Sequence, residues 1–136
     1  MYPEEIVNPM RAELTENGFE ELFFDYEVDQ ALSKKGTTLI MVNSVCGCAA
    51  RTARPGTIMS LKGIKKPNHL FTVFAGVDQE ATARARDYMI PYPPSSPSLA
   101  LFKDGELIHM WERHHIEGRP AEVIAEDMAL IFEKYC

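Results

Sequence analysis

A chain of 136 residues with 46% hydrophobic content is the size and composition of one globular domain, read here as spanning residues 1–136, and not of a disordered segment. A net charge of -6 with no basic stripe excludes a nucleic-acid surface, and no apolar run approaches the roughly 18 residues a membrane span needs. Three cysteines, two of them nearly adjacent, exclude a secreted disulfide framework and imply a reducing, cytoplasmic setting, where such a pair is redox-active or metal-binding.

The opening MYPEEIVNPMRAEL is acidic and amphipathic, unlike a secretory signal. Residues 3–15 read as a helix with Pro3 in its first turn and an apolar stripe of Ile6, Met10 and Leu14, with Val7 beside it. Asn17-Gly18 stops it. Residues 19–24 read as an edge strand, and a short helix from Asp25 carries Val28, Ala31 and Leu32 before Gly36. Residues 38–42, TLIMV, are a continuous apolar run, the pattern of a strand buried on both faces. Asn43 and Ser44 end it, and Cys46-Gly47-Cys48 follows where strand hands over to helix.

A long helix is expected over 46–66, kinked or broken at Pro55 because the ring removes a donor and clashes with the preceding turn. Residues 70–75, LFTVFA, give a second buried strand, and Asp78 is placed to cap a helix over 79–89. A proline-rich loop covers 91–97. Strands over 98–102 and 107–111 flank Lys103-Asp104-Gly105-Glu106, a hairpin signal. Residues 112–118 read as a polar loop holding His114 and His115. Pro120 opens a last helix with Val123 or Ile124, Met128, Ile131 and Tyr135 on its buried side. The β-α-β unit in the middle requires a parallel pair and the hairpin adds antiparallel strands, so the fold class is α/β, a mixed central sheet with helices on both faces.

The cysteine pair is where the chemistry belongs. A helix N-terminus offers unpaired N–H groups and partial positive charge, which favour a thiolate. Cys46 is expected to attack and Cys48 to resolve. Residues i and i+2 reach roughly 7 Å when extended, too far for a disulfide without a bent backbone, and Gly47 makes the bend tolerable. A ring this small should be strained, and a strained couple is more oxidising. Other readings remain open. A zinc site would need two further ligands from His69, His109, His114, His115 and Cys136, none of which has ligand spacing to the pair, so no metal is assigned. Cys136 reads as a frayed terminal thiol, and His109 as facing solvent. A metal-binding module using Cys46 and Cys48, with a partner supplying the other ligands, and a non-catalytic interaction domain are the remaining alternatives.

The order strand, Cys pair, kinked helix, strand, helix, Ser96-Pro97-Ser98, strand, Asp-Gly turn, strand, helix resembles the thioredoxin fold, here with an N-terminal helical extension. The resemblance implies that Pro97 is cis and faces the cysteines. The motifs MRAELTENGFEEL, VNSVCGCAA, ARPG and SPSLALFKDGELIHMWERHHIEGR resemble the bacilliredoxin family over nearly the whole chain, with one departure: Arg51 stands where glycine is expected after CGCAA.

That resemblance implies a cytoplasmic thiol–disulfide oxidoreductase that removes bacillithiol, a low-molecular-weight thiol, from S-bacillithiolated client proteins. It implies no bound cofactor beyond a redox-active Cys46–Cys48 disulfide. A weak protein disulfide isomerase or a general thioredoxin-like reductase is the alternative. Bacillithiol carries two carboxylates in its malate portion, so cations or N–H donors should bind it. Arg51 and Arg54 follow the cysteines and could serve, with Gly47 beneath and Ser96 and Pro97 lining the other side.

Overall fold

The structure, a computed structural model, describes residues 2–136. Five strands form one sheet in the order β1-β3-β2-β4-β5, where β1 is Glu20–Glu21, β2 Thr37–Asn43, β3 His69–Phe74, β4 Ser98–Lys103 and β5 Glu106–Trp111. The strands β1, β3 and β2 run parallel; β4 is antiparallel to β2 and β5 to β4. This is the mixed sheet expected. All seven residues of β2 are buried, as the unbroken apolar run implies. Ile40 and Val42 enter a core under α2 (Asp25–Leu32) and α4 (Gln79–Asp87). Leu39 and Met41 enter a second core on the other face, under α1 (Glu4–Thr15), α3 (Arg54–Ser60), α5 (Arg113–Ile116) and α6 (Ala121–Tyr135). Among the described residues no helix is long and apolar enough to cross a membrane.

Several elements differ from the sequence reading, each for a local reason. Pro3 is the N-cap of α1 rather than part of its first turn. Val7 and Leu14 are the buried residues of that helix, while Ile6 is 48% exposed. The inward face runs Val7, Arg11, Leu14, and Arg11 uses it to reach Asp78 with a bidentate pair at 2.8 and 2.9 Å. Asp78 is therefore an ion-pair partner, and α4 has no side-chain cap. The polar stretch after β5 contains a helical turn, α5, because Ile116 is fully buried and pulls the chain onto the second core. In α6 the deepest positions are Ile124, Met128 and Phe132; Val123 faces solvent, and Ile131 and Tyr135 only flank the core. Asp104 and Gly105, at φ 51° and 83°, make the hairpin turn the Asp-Gly pair called for.

The helix after the cysteines is neither straight nor as long as expected. Ala49–Ala53 is a π-helical segment, α3 follows directly from Arg54, and the helix stops at Ser60 instead of Lys66. Widening the turn before Pro55 removes the i→i−4 bond that proline could not make, so proline is absorbed without a break. Gly56 then faces α6. A Cβ there would lie 2.9 Å from the Ala121 carbonyl oxygen and 3.0 Å from Ile124 Cβ. Gly56→Ala is accordingly expected to cost about 1–3 kcal/mol by overpacking, read as a lower denaturation midpoint at unchanged m-value.

Candidate active site

Short polar side chains shape the turn that carries the cysteines. The Asn43 Oδ1 accepts the Ser44 N–H at 2.9 Å, and the Ser44 hydroxyl accepts the Cys46 N–H at 3.0 Å. These local bonds stop the strand and curl the chain toward the helix. The Cys46 carbonyl then accepts the N–H groups of Ala49 and Ala50 at 3.0 and 3.3 Å, which starts the helix around Cys48. The two thiols are free, half-buried and 2.6 Å apart at Sγ, so one bond can join them with little backbone movement.

Their surroundings make them unequal. Cys46 is held below the usual thiol range, first by the Cys48 thiol donating to its sulfur, which outweighs the cost of burial, and then by the Cys48 N–H, the Arg113 guanidinium and the Ala49 N–H. Cys48 is pushed up, first by burial, then by its bond to Cys46 and the charge there. The negative charge of a half-ionised pair belongs on Cys46.

The remaining sequence candidates separate. Ser96 and Pro97 lie at the site: Val42 pairs with Ser98, so the residues entering β4 run beside those leaving β2. The Ser96–Pro97 bond is cis, and Pro97 is buried. Gly47 keeps φ outside the left-handed region; what its missing Cβ leaves is room for the Arg51 guanidinium, whose Nη2 would come within 3.2 Å of such a carbon. Arg51 is exposed and lies over the cysteine turn.

Arg54 corrects the expectation made for it. Its side chain is 2% exposed, and it donates to Glu13 at 2.8 Å, Asn43 Oδ1 at 2.9 Å and the Ser44 carbonyl at 3.0 Å. That guanidinium is committed to the fold and is not offered to a substrate.

The residue that sequence reading missed is Arg113. Its charge acts on both sulfurs, its Nη1 donates to the Ser96 carbonyl at 3.3 Å, and Glu117 holds its Nε at 2.9 Å. Nothing in the string Glu-Arg-His-His links it to a distant cysteine; only the burial of Ile116 brings it there. Glu112, His114 and His115 place one donor atom each within 4.8 Å of one another. The only lone pair of a neutral His115, at Nδ1, already accepts the Glu112 N–H at 3.0 Å, which leaves a poor metal ligand. His109 is not free in solvent but half-buried, its ring 4.5 Å from that of Trp111. Cys136 is not frayed: its N–H donates to the Phe132 carbonyl at 2.8 Å. Its thiol lies by Thr37, at the far end of β2 from Cys46, roughly 20 Å away along the strand.

Residues 2–136 match the family described as Disulphide isomerase. A bacilliredoxin of Cytophaga hutchinsonii is 56% identical over 134 residues, 98% of this chain and 99% of that protein. One from Halalkalibacterium halodurans is 52% identical over 136 residues, 99% and 94% of the two chains. The chain belongs to the bacilliredoxin family. Among solved structures, a mutant thioredoxin from Halobacterium salinarum superposes at a TM-score of 0.61 over 88% of this chain and 91% of that one, at 17% identity. The reduced thioredoxin pre-protein of Schistosoma mansoni gives 0.58, over 88% and 99%, also at 17% identity. The fold is thus thioredoxin-like, and the family makes the chain a thiol–disulfide oxidoreductase with Cys46 and Cys48 as its redox-active pair. Its partners carry thiols or disulfides.

Two outcomes follow. Alkylation of Cys46, followed by mass spectrometry across pH, should shift to higher pH in Cys48→Ala and, by less, in Arg113→Gln, because each removes a contact that favours the thiolate. Wild-type labelling that begins at Cys48 instead would reverse the assignment of charge. Arg54→Ala should lose about 3–5 kcal/mol of stability, measured by chemical denaturation, since it strands Glu13, Asn43 and the Ser44 carbonyl.

Proposed function

We propose that this protein removes bacillithiol from S-bacillithiolated client proteins, working in the reducing cytoplasm. The observation that carries the reading is the inequality of the two thiols across a single glycine, in a member of this family. The Cys46 thiolate attacks the bacillithiol sulfur of the client's mixed disulfide. A Cys46–bacillithiol disulfide forms, and the client leaves as its thiolate, which takes a proton from water.

The second half has two routes. Cys48, once deprotonated, attacks the Cys46 sulfur, forms the Cys46–Cys48 disulfide and expels bacillithiol as thiolate. Two electrons from an external thiol reductant then restore the pair. Alternatively, a second bacillithiol thiolate attacks the bacillithiol sulfur, frees Cys46 and leaves as oxidised bacillithiol. The raised pKa of Cys48 fits a group that stays protonated, and supports Cys46 by hydrogen bonding, until the first step has removed the charge from its neighbour. Backbone from Ser96 and Pro97 flanks the attacked disulfide, and the Arg51 guanidinium over the turn is placed to meet an anionic substrate.

The description of the matched family favours a second reading, protein disulfide isomerisation, in which the same Cys46 thiolate attacks a protein disulfide. Intact-mass analysis separates the two. The reduced protein and a Cys48→Ser variant are each mixed with a bacillithiolated client. The client should lose the bacillithiol mass, and the variant should retain it on Cys46. A client that keeps its bacillithiol, while scrambled protein disulfides are still reshuffled, would establish the isomerase reading instead.

A further inference from the structure

The loop entering β4 is bracketed by two arginines on opposite faces of the sheet. Arg113 reaches the Ser96 carbonyl from α5, on the side of the second core. Arg86 reaches the Ser95 carbonyl from α4, on the side of the first, with its Nη2 at 3.5 Å.

Among the described residues, Arg86 differs from the other inward-turned arginines in pairing with no acid. Arg11 has Asp78, and Arg54 has Glu13. The Nε of Arg86 is buried without any hydrogen-bond partner, and its weak contact to Ser95 goes to an oxygen that already accepts the Ser98 hydroxyl at 3.0 Å. The nearby carboxylates are taken. Arg84 holds Asp87 at 3.3 Å and Asp29 at 2.7 Å, and Asp29 also accepts from Tyr88 at 2.6 Å. One turn earlier on the same face of α4, the Thr82 hydroxyl is also buried without a partner, in a residue only 4% exposed. A half-buried guanidinium with an unpaired Nε and a buried unpaired hydroxyl one turn apart are costly unless something fills them. Burial alone accounts for the lowered pKa of Arg86, as expected of a cation lacking its anion.

We infer that Arg86, with Thr82 beside it and Arg113 across the Ser95–Ser96 loop, forms a carboxylate subsite for the low-molecular-weight thiol of the substrate. The inference rests on the reading that this thiol is a dicarboxylate. Its position suits the chemistry. The loop runs beside the cysteine turn through the β2–β4 register, so a thiol whose sulfur meets Cys46 can lay its far end along Ser95 and Ser96. There a carboxylate would give Arg86 the charge-assisted partner it lacks. The subsite would select the small-thiol half of a mixed disulfide and leave the client half free to vary.

The test is a ratio. One client protein is prepared as its bacillithiol mixed disulfide and as its β-mercaptoethanol mixed disulfide, which carries no carboxylate. The kcat/KM for each is measured with wild type, Arg86→Gln, Arg86→Lys and Thr82→Val. Wild type should prefer the bacillithiol substrate. Arg86→Gln should lower the preference about tenfold, mostly through KM, Arg86→Lys should retain most of it, and Thr82→Val should reduce it by a smaller factor. A purely structural role for Arg86 would slow both substrates alike, so an unchanged ratio overturns the subsite whatever happens to overall activity. Should Arg86→Gln fail to fold, an unchanged ratio in Thr82→Val overturns it equally. A wild type without preference also overturns it, while the proposed function survives as long as bacillithiol is still removed. Failure of the function itself looks different: the bacillithiol client is not processed at all.

Discussion

Arg54 brings a full charge to a position with 2% exposure, where it donates to Glu13 on α1, the Asn43 side chain at the end of β2 and the Ser44 carbonyl just beyond it. A cation so placed tolerates no loss of partners, so it fixes their relative positions. Two of the three lie immediately before the cysteines, and Arg54 itself lies shortly after Cys48. The excursion from Asn43 to Arg54 is thereby closed at its base, with Cys46 and Cys48 at its tip. The π-helical segment fits this constraint: the helix must widen to bring Arg54 back under the strand end while Pro55 enters the next turn.

The closed base is what allows the two sulfurs to differ. Cys46 is the residue whose carbonyl starts the helix, so the N–H groups of Cys48 and Ala49 point toward its sulfur, while Cys48 is turned one step further into low-dielectric surroundings. The same glycine that separates them leaves the space above the turn open to Arg51. Nucleophile, hydrogen-bond donor and nearby cation thus come from a stretch of a few residues, held at its base by the Arg54–Glu13 pair.

Much of the fold was legible because its signals are local. The unbroken run in β2, the Asp-Gly turn and the strand–cysteine–helix junction each rest on neighbouring residues, and each is found where it was read. What escaped depends on partners distant in sequence. Arg54 read as a helix charge available to substrate because nothing nearby in the chain announces that Glu13 will lie against it. Asp78 read as a cap because its position before a helix is a local fact, whereas Arg11, 67 residues earlier, is not. Arg113 lay in a string of polar letters whose one apolar residue, Ile116, decided the outcome. At the cysteines the pair itself and the Arg51 beside it were readable, and Arg113, the cation brought in by a distant element, was not.

The division between local and distant parts has a chemical consequence. Thiol–disulfide exchange runs through mixed disulfides, so the site must hold successive thiol partners without binding any of them too firmly. The locally encoded part, Cys46 with its helix N–H groups, stabilises a sulfur anion and is indifferent to what was attached. Besides Arg51 over the turn, discrimination would then come from groups outside it. On the function and subsite proposed above, those are the groups supplied by distant elements: the Ser95–Ser96–Pro97 backbone held against β2 by strand pairing, Arg113 delivered by α5, and Arg86 delivered by α4. Because these sit on separate elements that share only the loop before β4, changes among them can retune which disulfide is accepted while the exchange chemistry at Cys46 is left intact.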